Sequence, residues 1–198
     1  MRILLLLTFI LSACGDDDST PSSNTTDLFP YGTYQTTCQL DTSEESGSIT
    51  HHYSIISEEY SSLNKTFIKT SNFYTGLDSC LVQSYKTSSY FTLNIIEYNS
   101  DKDLYTVELN FIKTTITPSS KIIATGFNNM NLAGINTWKE NVETDVTGKN
   151  PDGTVFTPAG KKYKIIKLSN NNTQLVQNES DSEYPESLDH EHLFYKQD

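Results

Sequence analysis

Arginine is almost missing from this chain: Arg2 is the only one among 198 residues. Without guanidinium groups the chain lacks the usual means of gripping pyrophosphate or a carboxylate by two parallel hydrogen bonds. The charge balance points the same way. There are 14 basic against 25 acidic residues, a net charge of -11, and such a surface repels phosphate backbones and anionic headgroups. A nucleic-acid partner is therefore not expected. Catalytic signatures are missing too. There is no Gly-x-Ser-x-Gly elbow, no His-Glu-x-x-His and no phosphate loop. Only three cysteines and one tryptophan occur. Long apolar runs are confined to the first residues, and no segment carries a clear helical stripe.

That first run has a definite form. Arg2 supplies a positive charge, and Ile3 to Leu11 are apolar except for Thr8. Leu11-Ser12-Ala13-Cys14-Gly15 follow, a small-residue cleavage region with a cysteine at its end. The run is too short to span a bilayer, which takes roughly 20 residues. Leu11-Ser12-Ala13-Cys14 resembles the lipobox of bacterial lipoproteins. The resemblance implies a signal peptide over 1–13, a diacylglyceryl group on the Cys14 sulfur, and a mature chain that starts there with further palmitate-type acylation. Several acyl chains give durable attachment, since each buried methylene adds about 0.8 kcal/mol. The position after Cys14 is Gly15, not the aspartate of the enteric retention signal. That implies a lipid-anchored protein of the cell envelope, at the outer membrane. Loss of Arg2 with the signal leaves 13 lysines against 25 acids, a net charge of -12.

With Cys14 assigned to lipid, Cys38 and Cys80 remain. An even remainder in an exported chain reads as a disulfide; a thiolate pair on a metal is the alternative, but it finds no further ligands. In residues 14–29, Cys14 is followed by Gly15-Asp16-Asp17-Asp18, and the chain stays polar as far as Asp27, the composition of a flexible tether. The domain is expected over 30–198.

Within it the pattern is strand-like, helped by 12 Tyr and 9 Phe. Strands are expected at 31–40, 48–61, 66–74, 79–86, 90–98, 104–117, 163–168, 174–177 and 193–196. Residues 136–147 read as a further strand carrying Trp138, Val142 and Val146 on one face. Asp41 to Gly47 and Asn150-Pro-Asp-Gly153 read as turns, and 125–133 as loop. The clearest alternation is Tyr105, Val107, Leu109 and Phe111 against Thr106, Glu108 and Asn110. Short polar turns between successive strands favour an all-β fold, a small antiparallel up-and-down β-barrel. A β-sandwich is the alternative. An integral membrane barrel is disfavoured by polar pairs such as Glu58-Glu59 and Thr114-Thr115.

Gly32-Thr33-Tyr34 with Cys38, Tyr74 to Cys80, Trp138 ahead of Val146-Thr147-Gly148, and Tyr163 to Leu168 followed by Gln174-Leu175-Val176 resemble the lipocalin-like, calycin-type bacterial lipoproteins. Tyr34 stands where that family carries tryptophan, and Lys196 is nearest to its late arginine. The resemblance implies a barrel closed on itself, with carriage of a small hydrophobic ligand or a structural envelope role, and only rarely catalysis, so an enzyme is the least expected reading.

Two functions follow as expectations. In the first, Tyr105, Val107, Leu109, Phe111 and Trp138 line a chamber for a small hydrophobic ligand. In the second, the same side chains fill the barrel and its loops meet an envelope protein. No cofactor and no metal site is expected. His190 and His192 share a strand face but lack a third ligand; His51 and His52 face opposite ways, as do Glu58 and Glu59, so neither pair forms a site.

Overall fold

The computed structural model describes residues 29–45, 48–75, 79–158, 160–169 and 173–198. The expected signal peptide over 1–13, Cys14 and the expected tether up to residue 28 lie outside the described residues. Among those described, the strands are β1 (Gly32–Gln35), β2 (Gln39–Glu45), β3 (Ser48–Ser61), β4 (Thr66–Thr75), β5 (Val82–Asn99), β6 (Leu104–Pro118), β7 (Thr144–Asp145), β8 (Lys161–Ser169), β9 (Gln174–Ser180) and β10 (Asp189–Lys196). One helix, α1 (Lys121–Asn129), follows β6.

The strands form one antiparallel sheet in the order β1-β10-β9-β8-β6-β5-β4-β3-β2, and β1 pairs with β3 as well as β10. That second pairing closes an eight-stranded up-and-down barrel, with β2 and β7 as appendages. β1 thus bridges β3 and the last strand, β10: Tyr34 is in register with Lys196 and Gln35 with Tyr195. Gly32 adopts a positive φ of 137°, and a Cβ there would stand 3.6 Å from Cε of Lys196. The Lys196 stem thus lies beside Gly32, next to the buried Tyr34 ring.

Two bulges keep the inward face apolar along the longest strands. Register passes from Ile95↔Val107 to Glu97↔Thr106, and from Tyr90↔Lys113 to Phe91↔Phe111. Ile96 and Ile112 are the extra residues, and both are half exposed. Without the first bulge, alternation would turn Glu97 inward and Tyr98 out. With it, Tyr98 packs on Tyr105 at 4.6 Å between ring centroids.

The main core lies in the lumen: Phe29, Tyr34, Tyr60, Phe67, Phe91, Leu93, Tyr105, Val107, Leu109, Ile166, Leu175 and Phe194. Phe29 closes one end, its ring edge-on to Tyr60 and Tyr105 at 5.7 and 5.2 Å. The core therefore begins one residue before the expected boundary at 30. A second cluster holds Ala124, Phe127, Ala133, Trp138 and Val146 against Tyr85 and Ile116. By alternation, Tyr85 and Ile116 continue the inward faces of β5 and β6 past the barrel's other end. Helix α1 covers that extension.

Several expectations need correction. Residues 125–133 are not loop throughout, because α1 occupies their first half. Ser120 caps it, accepting a hydrogen bond from the Ile123 amide at 3.3 Å. Ile122, Ile123, Thr125 and Gly126 are poor helix formers, and burial of Ala124 and Phe127 overrides them. Residues 136–147 give only the two-residue β7, since the Asn128 side chain takes both the N–H and the C=O of Trp138. The 31–40 strand breaks after Gln35. Asp41 to Glu45 belong to β2, not to a turn, because their backbone pairs with the first half of β3. The strands expected at 79–86 and 90–98 are one continuous strand, β5.

The Asn150–Gly153 turn forms as expected, with the Gly153 amide bonded to the Asn150 carbonyl at 2.9 Å. A Cβ at Gly153 would stand 3.0 Å from the Gly134 nitrogen, so this close approach of two loops requires glycine.

Cys38 and Cys80 are bonded, with Cα atoms 5.9 Å apart and a sequence separation of 42. The bond ties the link between β1 and β2 to the start of β5. Replacement of both cysteines by serine is expected to lower unfolding stability by about 3 kcal/mol through the loop released in the unfolded chain. Urea unfolding of the two forms measures it; equal midpoints would show that the bond adds nothing.

Candidate functional site

The barrel interior is where sequence and fold concentrate chemistry. Alternation along β6 sends Tyr105, Val107 and Leu109 inward, where Val107 and Leu109 have no exposed surface. They do not line an open chamber. Phe29, Tyr60, Phe67, Ile166 and Leu175 fill the space before them. Phe111, the fourth wall residue, is only partly buried. Trp138 is not on this wall at all. It sits in the second cluster, 5.3 Å from the Phe127 ring, with its indole N–H donated to the Leu132 carbonyl at 3.3 Å. The five expected ligand residues thus divide into three core residues, one at the mouth and one beyond it.

Above the apolar layer lies a charged one that alternation did not reveal. Glu58 on β3 and Lys164 on β8 both have fully buried side chains. Lys164 Nζ donates to both carboxylate oxygens of Glu58 at 2.8 Å. Gln177 Nε2 donates to Oε1 at 2.9 Å, and the Tyr60 hydroxyl to Oε2 at 2.8 Å. The Lys164 ammonium also lies 4.5 Å from the Phe67 ring centroid and 5.5 Å from that of Tyr60. Burial pushes the Lys164 pKa down, and the Glu58 carboxylate opposes that shift. Burial, reinforced by Glu58, raises the Tyr60 phenol well above its ordinary range.

One step nearer the mouth, Glu179 on β9 joins Lys162 at 2.7 Å to Lys69, on the opposite wall, at 3.5 Å. Burial alone would raise its pKa. Lys164, Lys69 and Lys162 prevail and hold it at about 2. Its Oε2 has no hydrogen-bond partner and lies 3.8 Å from Lys164. Open clefts flank this bridge. One, of about 190 Å³, is a mostly apolar slot between Phe91 and Phe111 on the wall and Val146, Phe156 and Pro158 of the overhanging loop, with Lys162 at its edge. The other, of about 330 Å³, includes Ile56, Lys69, Gln177, Glu179 and Phe194.

Among the described residues no group of three or more His, Cys, Asp or Glu is placed to hold a metal ion. His190 lies in β10 and His52 in β3. The buried network escaped sequence reading because Glu58 and Lys164 are 106 residues apart. The only local signal was a lysine within the apolar strand Tyr163-Lys164-Ile165-Ile166.

The class this geometry defines is a closed, eight-stranded antiparallel barrel, compatible with a lipocalin-like fold. A scan against protein-family models finds no match, and no curated protein matches the chain.

Removing one partner of the buried pair strands the other. Glu58→Leu and Lys164→Met are each expected to destabilise the protein by about 3 to 5 kcal/mol, and the double replacement of both by less than either single. Chemical denaturation of the three variants tests this; strictly additive losses would refute the coupling.

Glu179 gives a pH signature. Its folded pKa lies below its ordinary value of 4.5, at about 2. Its contribution is complete above the unfolded value and disappears as pH falls toward 2. Glu179→Gln is expected to reduce the loss of stability across that window. An unchanged acid limb in the variant would show that Glu179 does not carry it.

Proposed function

We propose that this chain is a lipid-anchored protein of the cell envelope whose filled barrel is a rigid, non-catalytic platform for contact with another envelope component. The observation that carries the reading is the packed lumen. Val107, Leu109, Ile166 and Leu175 meet the aromatic layer with no exposed surface, and the Glu58–Lys164 pair crosses the space above them. A carrier of hydrophobic ligands needs an enclosed cavity of some hundreds of Å³. Here the same wall residues occupy that space. The anchor rests on Leu11-Ser12-Ala13-Cys14 and on the charged, then apolar, start of the chain.

One observation favours a second reading. The slot between Phe91, Phe111 and Phe156 could seat an apolar chain at the rim, with Lys162 beside its end. In that case a ligand binds at the mouth, and Phe111 is the one expected wall residue that touches it.

Native mass spectrometry and lipid extraction of the protein from its own envelope separate these readings. The expected mass is that of a chain starting at acylated Cys14 with no further small molecule. A panel of fatty acids should leave Trp138 fluorescence and the wild-type mass unchanged. A stoichiometric small molecule lost on Phe111→Ala would establish the rim reading instead. A chain retaining Met1 would overturn the anchor.

A further inference from the structure

A cleft of about 310 Å³ on the outer face of the sheet differs in kind from those at the mouth. It is lined by Asn72, Gln83, Lys86, Thr117, Ser119 and Asn141, with no apolar residue among them. Asn72, Lys86 and Thr117 stand in one row across β4, β5 and β6, since Asn72 pairs with Lys86 and Lys86 with Thr117. Alternation puts this row on the face opposite Phe73, Tyr85 and Ile116, hence away from the lumen.

The row is held in place before any ligand arrives. Asn72 Nδ2 donates to the Ile55 carbonyl at 3.2 Å, and its Oδ1 accepts from Gln83 Nε2 at 3.0 Å. The Ser119 hydroxyl is committed to the carbonyls of Gln83 and Ser84. The Asn141 amide is bonded to the Pro118 carbonyl at 2.8 Å, and its backbone is left-handed, with φ of 55°. Such a conformation costs an asparagine little and suits a residue aimed over a cleft. Lys86, by contrast, has no hydrogen bond or ion pair among the described residues. Glu143, which feels the Lys86 charge only weakly, is already bonded to Lys113 at 3.0 Å and to the Tyr90 hydroxyl at 2.8 Å. Beside Gln83 in register stands Tyr74, paired across β3 with Tyr53.

The free groups are of mixed kind: the side-chain Oε1 of Gln83, the side-chain amide of Asn141, the Thr117 hydroxyl and one ammonium. Vicinal hydroxyls both donate and accept, and so match such a set. An acyl chain would leave it unsatisfied. One lysine without arginine suits a single carboxylate better than a phosphate dianion. The net charge of -12 after loss of the signal repels densely charged polyanions such as nucleic acids. From this arrangement we infer that the outer polar cleft binds an acidic saccharide, a pyranose unit whose carboxylate meets Lys86 and whose hydroxyls meet Gln83, Thr117 and Asn141. The inference goes beyond the platform reading, because it names a surface and the chemistry of what meets it.

Titration of the full chain in detergent with trigalacturonate and, separately, the neutral maltotriose tests it, by calorimetry and by side-chain amide resonances. Trigalacturonate should bind and shift the Gln83 and Asn141 amides, and maltotriose should bind about tenfold more weakly. Lys86→Gln should cost trigalacturonate about tenfold in affinity and leave maltotriose unchanged. Asn141→Gly keeps the left-handed backbone and removes the amide; it should weaken both sugars without changing the unfolding midpoint. Lys167→Gln, on a distant strand, should change nothing. Absence of shifts at Gln83 and Asn141, equal affinity for the two sugars, or full trigalacturonate affinity in Lys86→Gln would each overturn the inference.

Discussion

A glutamate and a lysine with no exposed side-chain surface face one another through the lumen, and the rest of the molecule is arranged around that contact. Removing two charges from water costs several kcal/mol per ion, and one Coulombic contact does not always repay it. Here repayment is shared. Glu58 accepts two hydrogen bonds from Lys164, one from Gln177 and one from Tyr60, so both carboxylate oxygens are doubly satisfied. Lys164 adds the faces of Phe67 and Tyr60. The partners come from β3 on one side and from the adjacent pair β8 and β9 on the other, and β3 pairs with neither of these. A one-residue slip of β3 would turn Glu58 to solvent and leave Lys164 buried without its partner. The pair therefore specifies register more than it adds stability.

The layer also divides the interior by polarity. On its closed side are Phe29 and the aromatic and aliphatic core. On its open side are the Lys69–Glu179–Lys162 bridge and the clefts of the mouth. Beyond the mouth β5 and β6 continue, and their inward faces need cover. Helix α1 and the loop bearing Trp138 supply it, which explains a helix in a chain otherwise built of strands. Two cores thus follow from strand length: strands that outrun the barrel must bury their extension against something else.

Alternation made the barrel legible. Tyr105, Val107 and Leu109 point inward as the pattern requires, the terminal strands close the sheet, and the two cysteines left after Cys14 are bonded. What alternation could not supply was the inward face of β3. There Tyr53 and Ile55 argue for one face as strongly as Ile56 does for the other, and Glu58 argues against the face it occupies. The partner that makes Glu58 acceptable inside is on β8, beyond the reach of any local window. Helix α1 was hidden for a related reason. Its β-branched residues and glycine oppose helix, and only Ser120 and the spacing of Ala124 and Phe127 favour it. In both cases tertiary contact overrides local preference. The bulges at Ile96 and Ile112 belong to the same class, since an exposed isoleucine gives no warning that the period shifts there.

The near absence of arginine gains a meaning from this interior. A guanidinium is broad and planar, whereas an ammonium on a four-carbon stem is compact and fits between the Phe67 and Tyr60 rings beside a carboxylate. Three of the chain's lysines, Lys69, Lys162 and Lys164, are committed to the lumen and balance Glu58 and Glu179. That leaves the outside with an excess of acid. On such a surface a lysine without a carboxylate of its own is conspicuous, and Lys86 is one. An acidic exterior screens out polyanions at long range, while a single ammonium among amides and a hydroxyl still attracts one carboxylate at short range. The charge distribution that lets the barrel fill itself with lysine also makes the exterior selective for the kind of anion it can approach.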